Sequence, residues 1–387
     1  MSQVVERTPI HVEETSGIRR FFYPADARVP FAKGVLHDVA RVRLLSDGTE
    51  VPATMTALDL WPDGSIQWLG VNFNVSLGPL GAVTFQVEYG SSVRRAASTR
   101  RGLTVTDDGD SVQVGRFRLG KGGDPLFRSI TFGDETIGSG MNGLQVHDHD
   151  GEMFPIDVSS VAFNIVRQGA QYVEIEYTGR VSLGVGLDLP FEMVIGIPNS
   201  KSWFRASISV DDPEDLISGV SFETPLIVGV LPFVWDFGTD RWTYGSLQNA
   251  TDAVRLSTPS TTDRSRDWEI STRRNEEWQV YEVSTEGAAI ATWGHIQSER
   301  VVAFAMHDQR TDGVAHHIAI DGRGQLSMTA NAPGAGHHEL TVYHHYVSVP
   351  VQIGAATSPM SMLNPLITHC DEARYSESGV ESPLSDR

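Results

Sequence analysis

Histidines crowd the last third of the chain, and the densest segment is His337-His-Glu-Leu-Thr-Val-Tyr-His-His-Tyr346. Read as a strand, it places Leu340, Val342, His344 and Tyr346 on one face with His338. That face carries the aliphatic residues and is expected to point into a core. The other face holds His337, Glu339, Thr341, Tyr343 and His345, and is a candidate wall of a site. Residues two apart on a face are separated by roughly 6.6 Å, so Tyr343 and His345 can share a ligand, as can His337 and Glu339. His337 and His345 lie roughly 26 Å apart by the same rise and cannot.

The chemistry open to such a wall is proton transfer. Histidine titrates near neutrality, and a Tyr343/His345 pair can take and return a proton. Arg310, which follows the strand ending at His307-Asp308, is placed to clamp a carboxylate. Base, acid and clamp together suit β-elimination at C5 of a uronate. The same face also reads as a set of hydrogen-bonded structural histidines. A third reading is a divalent metal on His337 and Glu339. No H-E-x-x-H or other diagnostic spacing supports that reading, and no cofactor is expected.

A second constellation is aromatic. Trp235-Asp-Phe-Gly-Thr-Asp-Arg-Trp-Thr-Tyr244 packs four aromatics, two aspartates and an arginine into ten residues. Trp235, Asp236, Asp240, Trp242 and Tyr244, with His295, are the expected saccharide-holding set, rings stacking on the sugar and acids binding its hydroxyls. The alternative is a loop that pins its tryptophans into the core. Gly138-Ser-Gly-Met-Asn-Gly143 matches G-x-G-x-x-G, but the strand-like Leu144-Gln-Val146 follows it where a phosphate site needs a helix. There is neither a P-loop nor a G-x-S-x-G elbow. A glycosidase carboxylate pair cannot be identified from spacing alone.

The elements that must hold these residues are strands. Val83, Phe85, Val87 and Tyr89 alternate with polar residues, and so do Leu69, Val71, Phe73 and Val75. Ser46-Asp47-Gly48, Pro62-Asp63-Gly64 and Asp107-Asp-Gly-Asp110 supply turns. No sustained helical period occurs before Pro359. The pattern predicts an all-β protein, a small N-terminal barrel followed by a large antiparallel sandwich. Its expected divisions are an N-terminal arm at 1–18, the barrel at 19–91, an arginine-bearing linker at 92–101, the sandwich at 102–360 and a partly disordered tail at 361–387.

The net charge of −19 disfavours nucleic acid and anionic membrane surfaces as partners. No run reaches the length needed to span a bilayer, and no secretory h-region precedes Gly17. The single cysteine, Cys370, suits a reducing compartment, so a cytoplasmic location is expected.

The segment from Arg28 to about Tyr89 resembles the N-terminal barrel of the exo-rhamnogalacturonan lyase and YetA-like family. The residues carrying the likeness are Val29-Pro-Phe-Ala-Lys-Gly34, Arg43-Leu-Leu45, Val51-Pro52 and Trp61-Pro-Asp-Gly-Ser-Ile-Gln-Trp68. A weaker likeness continues through Asp236-Phe-Gly-Thr239 and the strands from Trp293 to Pro350. The resemblance implies a RIFT-like barrel and lyase-type action on a uronate- or rhamnose-containing saccharide. Longer members continue into a helical toroid that contributes to the active site, and nothing after about residue 370 supplies one. The second expectation is therefore a non-catalytic glycan-binding or subunit-assembly β-module. Trp61 and Trp68 are expected in the barrel core, and self-association as a homo-oligomer is compatible with either reading.

Overall fold

The computed structural model describes residues 5–370, leaving aside 133, 185, 240–242, 260–266, 286–291, 308–313, 332–333 and 354. Strands dominate, and every strand pairing among the described residues is antiparallel. The α-helix is Thr357–Leu363. This is the all-β, sandwich-type fold that the period-two alternation predicts. No helix among the described residues is long and apolar enough to cross a membrane.

Two sheets enclose the smaller core. One runs in the order Arg20–Pro30, Ile66–Leu77, Ala53–Leu60. The other runs Ile367–Cys370, Glu6–Glu13, Ala82–Tyr89, Val42–Ser46, Thr49–Val51. Inward residues from both meet between them, with the Phe73 and Phe85 rings edge-on at 4.7 Å. The segment expected as an N-terminal arm is thus an interior strand at residues 6–13. Ile10 and Val12 are fully buried, and that burial is what ties the segment down. Residues 361–370, expected as part of a tail, provide the helix end and a strand paired with Glu6–Glu13.

The two sequence motifs of this region are stitched to each other. The Trp61 indole donates to the Phe31 carbonyl at 2.9 Å, and Gly34 N–H donates to Ser65 Oγ at 2.9 Å. Phe31 N–H also donates to the Gln67 carbonyl at 2.9 Å. Asp63 shapes the turn by accepting from both the amide and the hydroxyl of Ser65, which lowers its pKa. Trp61 and Trp68 are only half-buried, so they brace this double turn at the rim of the core that was expected to hold them.

The larger core lies between a nine-stranded and an eight-stranded sheet. The nine run Ala162–Gln168, Tyr172–Ser182, Asp188–Pro198, Trp203–Asp212, Gly336–Val347, Val301–Met306, Trp293–Gln297, Phe233–Phe237 and Thr243–Leu247. The centre of the eight is Gly143–Asp148, Ile217–Pro225, Gln325–Asn331, Ala315–Asp321 and Ala253–Thr258. Inside, Phe204 is tilted against Phe127 and Phe222, and Phe127 meets Phe222 edge-on. A five-stranded sheet spanning residues 105–141 closes one end of the same core.

The N-terminal sheets dock on the nine-stranded sheet through apolar residues, with Trp203, Trp293, Ala303, Ala305 and Tyr343 joining the smaller core, and through polar contacts. The 167–172 turn presses on the N-terminal sheets, where a Cβ on Gly169 would sit 2.1 Å from Thr54. Gln171 donates from its amide to Thr54 Oγ1 at 3.1 Å and receives Asn74 Nδ2 on its side-chain oxygen at 2.7 Å. Arg20 is fully buried, bonds Glu14 at 3.0 Å, and donates to the Ser361 and Asn364 carbonyls. The segment expected as a linker lies against the N-terminal sheet, with Glu50 accepting the Ala96 and Ala97 amides.

Candidate functional site

The sheet register decides which residues meet. On the nine-stranded sheet Glu174 pairs with Gly196, Gly196 with Arg205, Arg205 with Tyr343, and Tyr343 with Ala305. Directly paired residues of an antiparallel sheet point to the same face, and this row faces the N-terminal sheets. Gly196 leaves a gap at its centre. A Cβ there would lie 2.3 Å from the Tyr172 hydroxyl, so glycine is what allows the Tyr172 side chain to cross the strand. Above the row is a cavity of about 280 Å³, lined by Tyr23, Asp26, Asn72, Tyr172, Trp203, Arg205 and Tyr343 among others.

Charges alternate along the cavity edge. Asp26 bonds Arg167 at 3.1 Å, Arg167 meets Glu174 at 3.2 Å, and Glu174 lies 3.8 Å from Arg205. Glu174 also accepts the Tyr172 hydroxyl at 2.9 Å. The Arg205 Nε–H is buried and lacks a hydrogen-bond partner among the described residues. Burial works against the Arg205 charge, but the surrounding tyrosines, Glu174 and Asp26 raise its pKa, so it stays a cation. Tyr343 is 6% exposed and stacks on Trp203 at 5.4 Å. Burial raises its pKa and outweighs Arg205, which pulls the other way, so the phenol keeps its proton.

Only part of the expected catalytic set converges here. Tyr343 and His345 do share a face, but Trp203 pairs with His345 and the two residues line different cavities. His345 bonds Ser358 of the helix through Nδ1, and lines a cavity of about 240 Å³ with Arg19, Lys201 and Ser358. Burial lowers its pKa to about 4, with Lys201 and His295 adding to the effect. Arg310 lies outside the described residues. The cation that faces Tyr343 is Arg205, 138 positions earlier in the chain.

The expected saccharide-holding residues also divide. Asp236 and His295, on adjacent strands, are each 2% exposed and are bonded to one another at 2.7 Å. They belong to the neighbouring row, which runs through Ala303 to His345 and Trp203. Trp235 and Tyr244 instead line a separate groove of about 260 Å³ with Tyr281, Arg273 and Arg274. Trp235 is buried there with its Nε1–H unpartnered among the described residues, while Tyr244 is 56% exposed. Asp240 and Trp242 lie outside the described residues.

The alternative metal ligands sit on the surface. His337 contacts Asp211 at 2.6 Å and Glu339 at 3.1 Å, and its pKa is raised, first by the Asp211 bond. Among the described residues no group of three or more His, Cys, Asp or Glu is arranged to hold a metal ion. On the core-facing side, His344 is fully buried between Phe204 and Tyr346 and is bonded to Thr224 at 3.0 Å.

Asp26, Arg167, Tyr172, Glu174 and Arg205 escaped the sequence reading. Each sits on an ordinary alternating strand, and nothing local marks it as part of a site. The one available signal was Gly196 within the apolar run Met193–Ile197, since glycine in a strand often marks a close approach.

No protein-family model matches the chain, and no curated protein matches it. Among solved structures it is similar to an alpha-mannosidase from Enterococcus faecalis V583, with 11% identity over 94% of this chain and 46% of that one, and a TM-score of 0.52. It is also similar to a glycosyl hydrolase family 38 protein from Enterococcus faecalis, with 8% identity over 94% and 47% of the chains and a TM-score of 0.58. At such identities the likeness shows the fold, which these glycoside hydrolase-family proteins contain within longer chains. This chain spans about half their length. These neighbours do not carry the resemblance as far as the rhamnogalacturonan lyases.

Proposed function

We propose that this chain is a saccharide-binding β-region of a carbohydrate-active protein, and that the cavity between its two cores takes an acidic sugar of the uronate class. The observation that carries the proposal is Arg205. Its Nε–H is buried without an acceptor beside the protonated Tyr343 hydroxyl, in a cavity of about 280 Å³. A carboxylate would receive both donors, and charge-assisted bonds of this kind are about twice as strong as neutral ones. Trp203 and Tyr23 supply ring faces for the sugar's C–H groups. The fold shared with glycoside hydrolase-family proteins supports the saccharide class. Titration calorimetry with a galacturonate-containing disaccharide and its neutral counterpart tests this. Binding should favour the uronate, and Arg205→Leu should remove the preference. Equal binding of both sugars, or a preference that survives in Arg205→Leu, overturns it.

The Tyr343–Arg205 contact also favours a second reading, lyase-type β-elimination in the same cavity. Asp26 would take the C5 proton while Arg205 neutralises the carboxylate. Tyr343 would give its proton to the departing C4 oxygen as that bond breaks. The ultraviolet absorbance of an unsaturated uronate product, lost in Tyr343→Phe, is the expected signature. Tight uronate binding with no such product would remove this reading and leave the first intact.

A further inference from the structure

The eight-stranded sheet has an outer face unlike an ordinary solvent face. Its inner residues, including Val146, Phe222, Met328, Ile318 and Leu256, fill the larger core. On the outer side two register rows run across it. One pairs Glu223 with Ser327, Ser327 with Ala319, and Ala319 with Arg255. The other pairs Ser221 with Thr329, Thr329 with His317, and His317 with Ser257. Ser327, Ala319 and Thr329 occupy the middle together with His317, and Ser221 and Thr329 are 0% and 6% exposed. Glu223 and Arg255 stand at the margins, where strand spacing puts their backbones roughly 14 Å apart. The result is a shallow basin with a hydroxyl floor.

The walls are polar but incompletely paired. His147 Nε2 bonds Ser221 at 2.8 Å, and His317 Nδ1 bonds Ser257 at 3.0 Å. Burial lowers the pKa of both, that of His317 to about 4, so each ring is neutral and, with one nitrogen on a serine, has one ring nitrogen left to give or accept a bond. Glu223 accepts from Gln325 at 2.8 Å and from Ser327. Arg255 lies over the half-exposed Trp278 ring at 4.8 Å, and its Nε–H is buried without an acceptor among the described residues. Sugar hydroxyls require partners that both give and accept, with a nearby apolar ring face.

We infer that this basin is a second saccharide site, taking a neutral sugar ring with its hydroxyls on Glu223, His147 and His317 and an oxygen on the Arg255 Nε–H. The inference takes its ligand class from the proposed function but uses none of the cavity's residues. The test is calorimetry on the full chain with methyl rhamnoside and a rhamnosyl-galacturonate disaccharide, for wild type, Glu223→Gln, Ala319→Leu and Arg205→Leu. Ala319→Leu fills the floor without removing a polar group. Expected is a methyl rhamnoside event weakened about tenfold or more, roughly 1.4 kcal/mol, by Glu223→Gln and by Ala319→Leu, and unchanged in Arg205→Leu. If Ala319→Leu fails to fold, Glu223→Gln decides. An event abolished by Arg205→Leu and indifferent to Glu223→Gln overturns the basin and leaves the cavity. A disaccharide event that is weakened by Glu223→Gln and unchanged in Arg205→Leu keeps the basin and removes the cavity. No binding of either sugar removes both.

Discussion

The two polar sheet faces solve different problems. On the nine-stranded sheet the Glu174–Arg205–Tyr343 row lies beneath the N-terminal sheets, and its charges alternate from Asp26 through Arg167 and Glu174 to Arg205. On the eight-stranded sheet His147, Glu223 and His317 look outward, and their partners are mainly hydroxyls. A charge removed from water must be matched by an opposite charge, or folding is penalised by several kcal/mol. A group at an open face keeps water as an alternative partner and needs no ion. The covered row is therefore a structural joint as well as a candidate site, whereas the open basin is spared from holding the fold together.

Removing the shared cation of the covered row should have the largest effect. Arg167 is 6% exposed and faces both Asp26 and Glu174. Arg167→Ala is expected to lose about 3 to 5 kcal/mol in urea unfolding, because it leaves a buried carboxylate without its partner. Glu223→Gln should change stability by about 1 kcal/mol or less. Similar losses from both substitutions would erase the distinction between the faces.

Acid should act next on the histidine beneath the helix. His345 titrates at about 4 when folded, against an ordinary value of 6.5, so the unfolded chain binds its proton first. The stabilisation from its neutral ring is complete above pH 6.5 and disappears as pH falls through 4. Within that window one such group gives a slope of up to about 1.4 kcal/mol per pH unit. His345→Gln should flatten the curve of stability against pH. An unchanged slope would mean that the ring is not held neutral beneath the helix.

Gly196 offers a gentler break. A methyl group there meets the Tyr172 hydroxyl, so Gly196→Ala must move Tyr172 off its perch above the row. The expected cost is about 1 to 2 kcal/mol by overpacking, with weaker uronate binding as the cavity changes shape. A variant with native stability and binding would show that the gap has no role.

Much of this architecture was legible because strand alternation is a local signal. The face shared by Tyr343 and His345 followed from period two, as did the core side holding His344 and Tyr346. What alternation cannot show is which face a second set of sheets will cover. Asp236 and His295 were read as ligands for sugar, yet they satisfy one another, since register brings together positions 59 apart. Arg205 is invisible for the same reason, as its partnership with Tyr343 exists only once two distant strands pair. The expected arm at 1–18 contains the interior strand Glu6–Glu13, which sequence alone does not reveal, because a short segment with few apolar residues carries too little weight until its neighbours are known. Trp61 and Trp68 show the converse: large aromatics suggested a core, but the Trp61 indole N–H is committed to a backbone carbonyl at the rim.

The smallest expected effect has the opposite sign in pH. His337 stands half-exposed between Asp211 and Glu339, and its pKa is raised, first by the Asp211 hydrogen bond. The folded state therefore holds this proton more tightly than the unfolded chain. Its contribution is fully present below pH 6.5 and is lost as pH rises through the higher folded value. Because water screens the site, His337→Ala should cost within about 0.5 kcal/mol at pH 6 and nothing measurable at pH 9. The curves of His337→Ala and His345→Gln should thus depart from wild type in opposite pH directions, although the two residues sit on one face of one strand. Parallel departures would mean that the covering sheets, which reach His345 and stop short of His337, do not set the electrostatics of this strand.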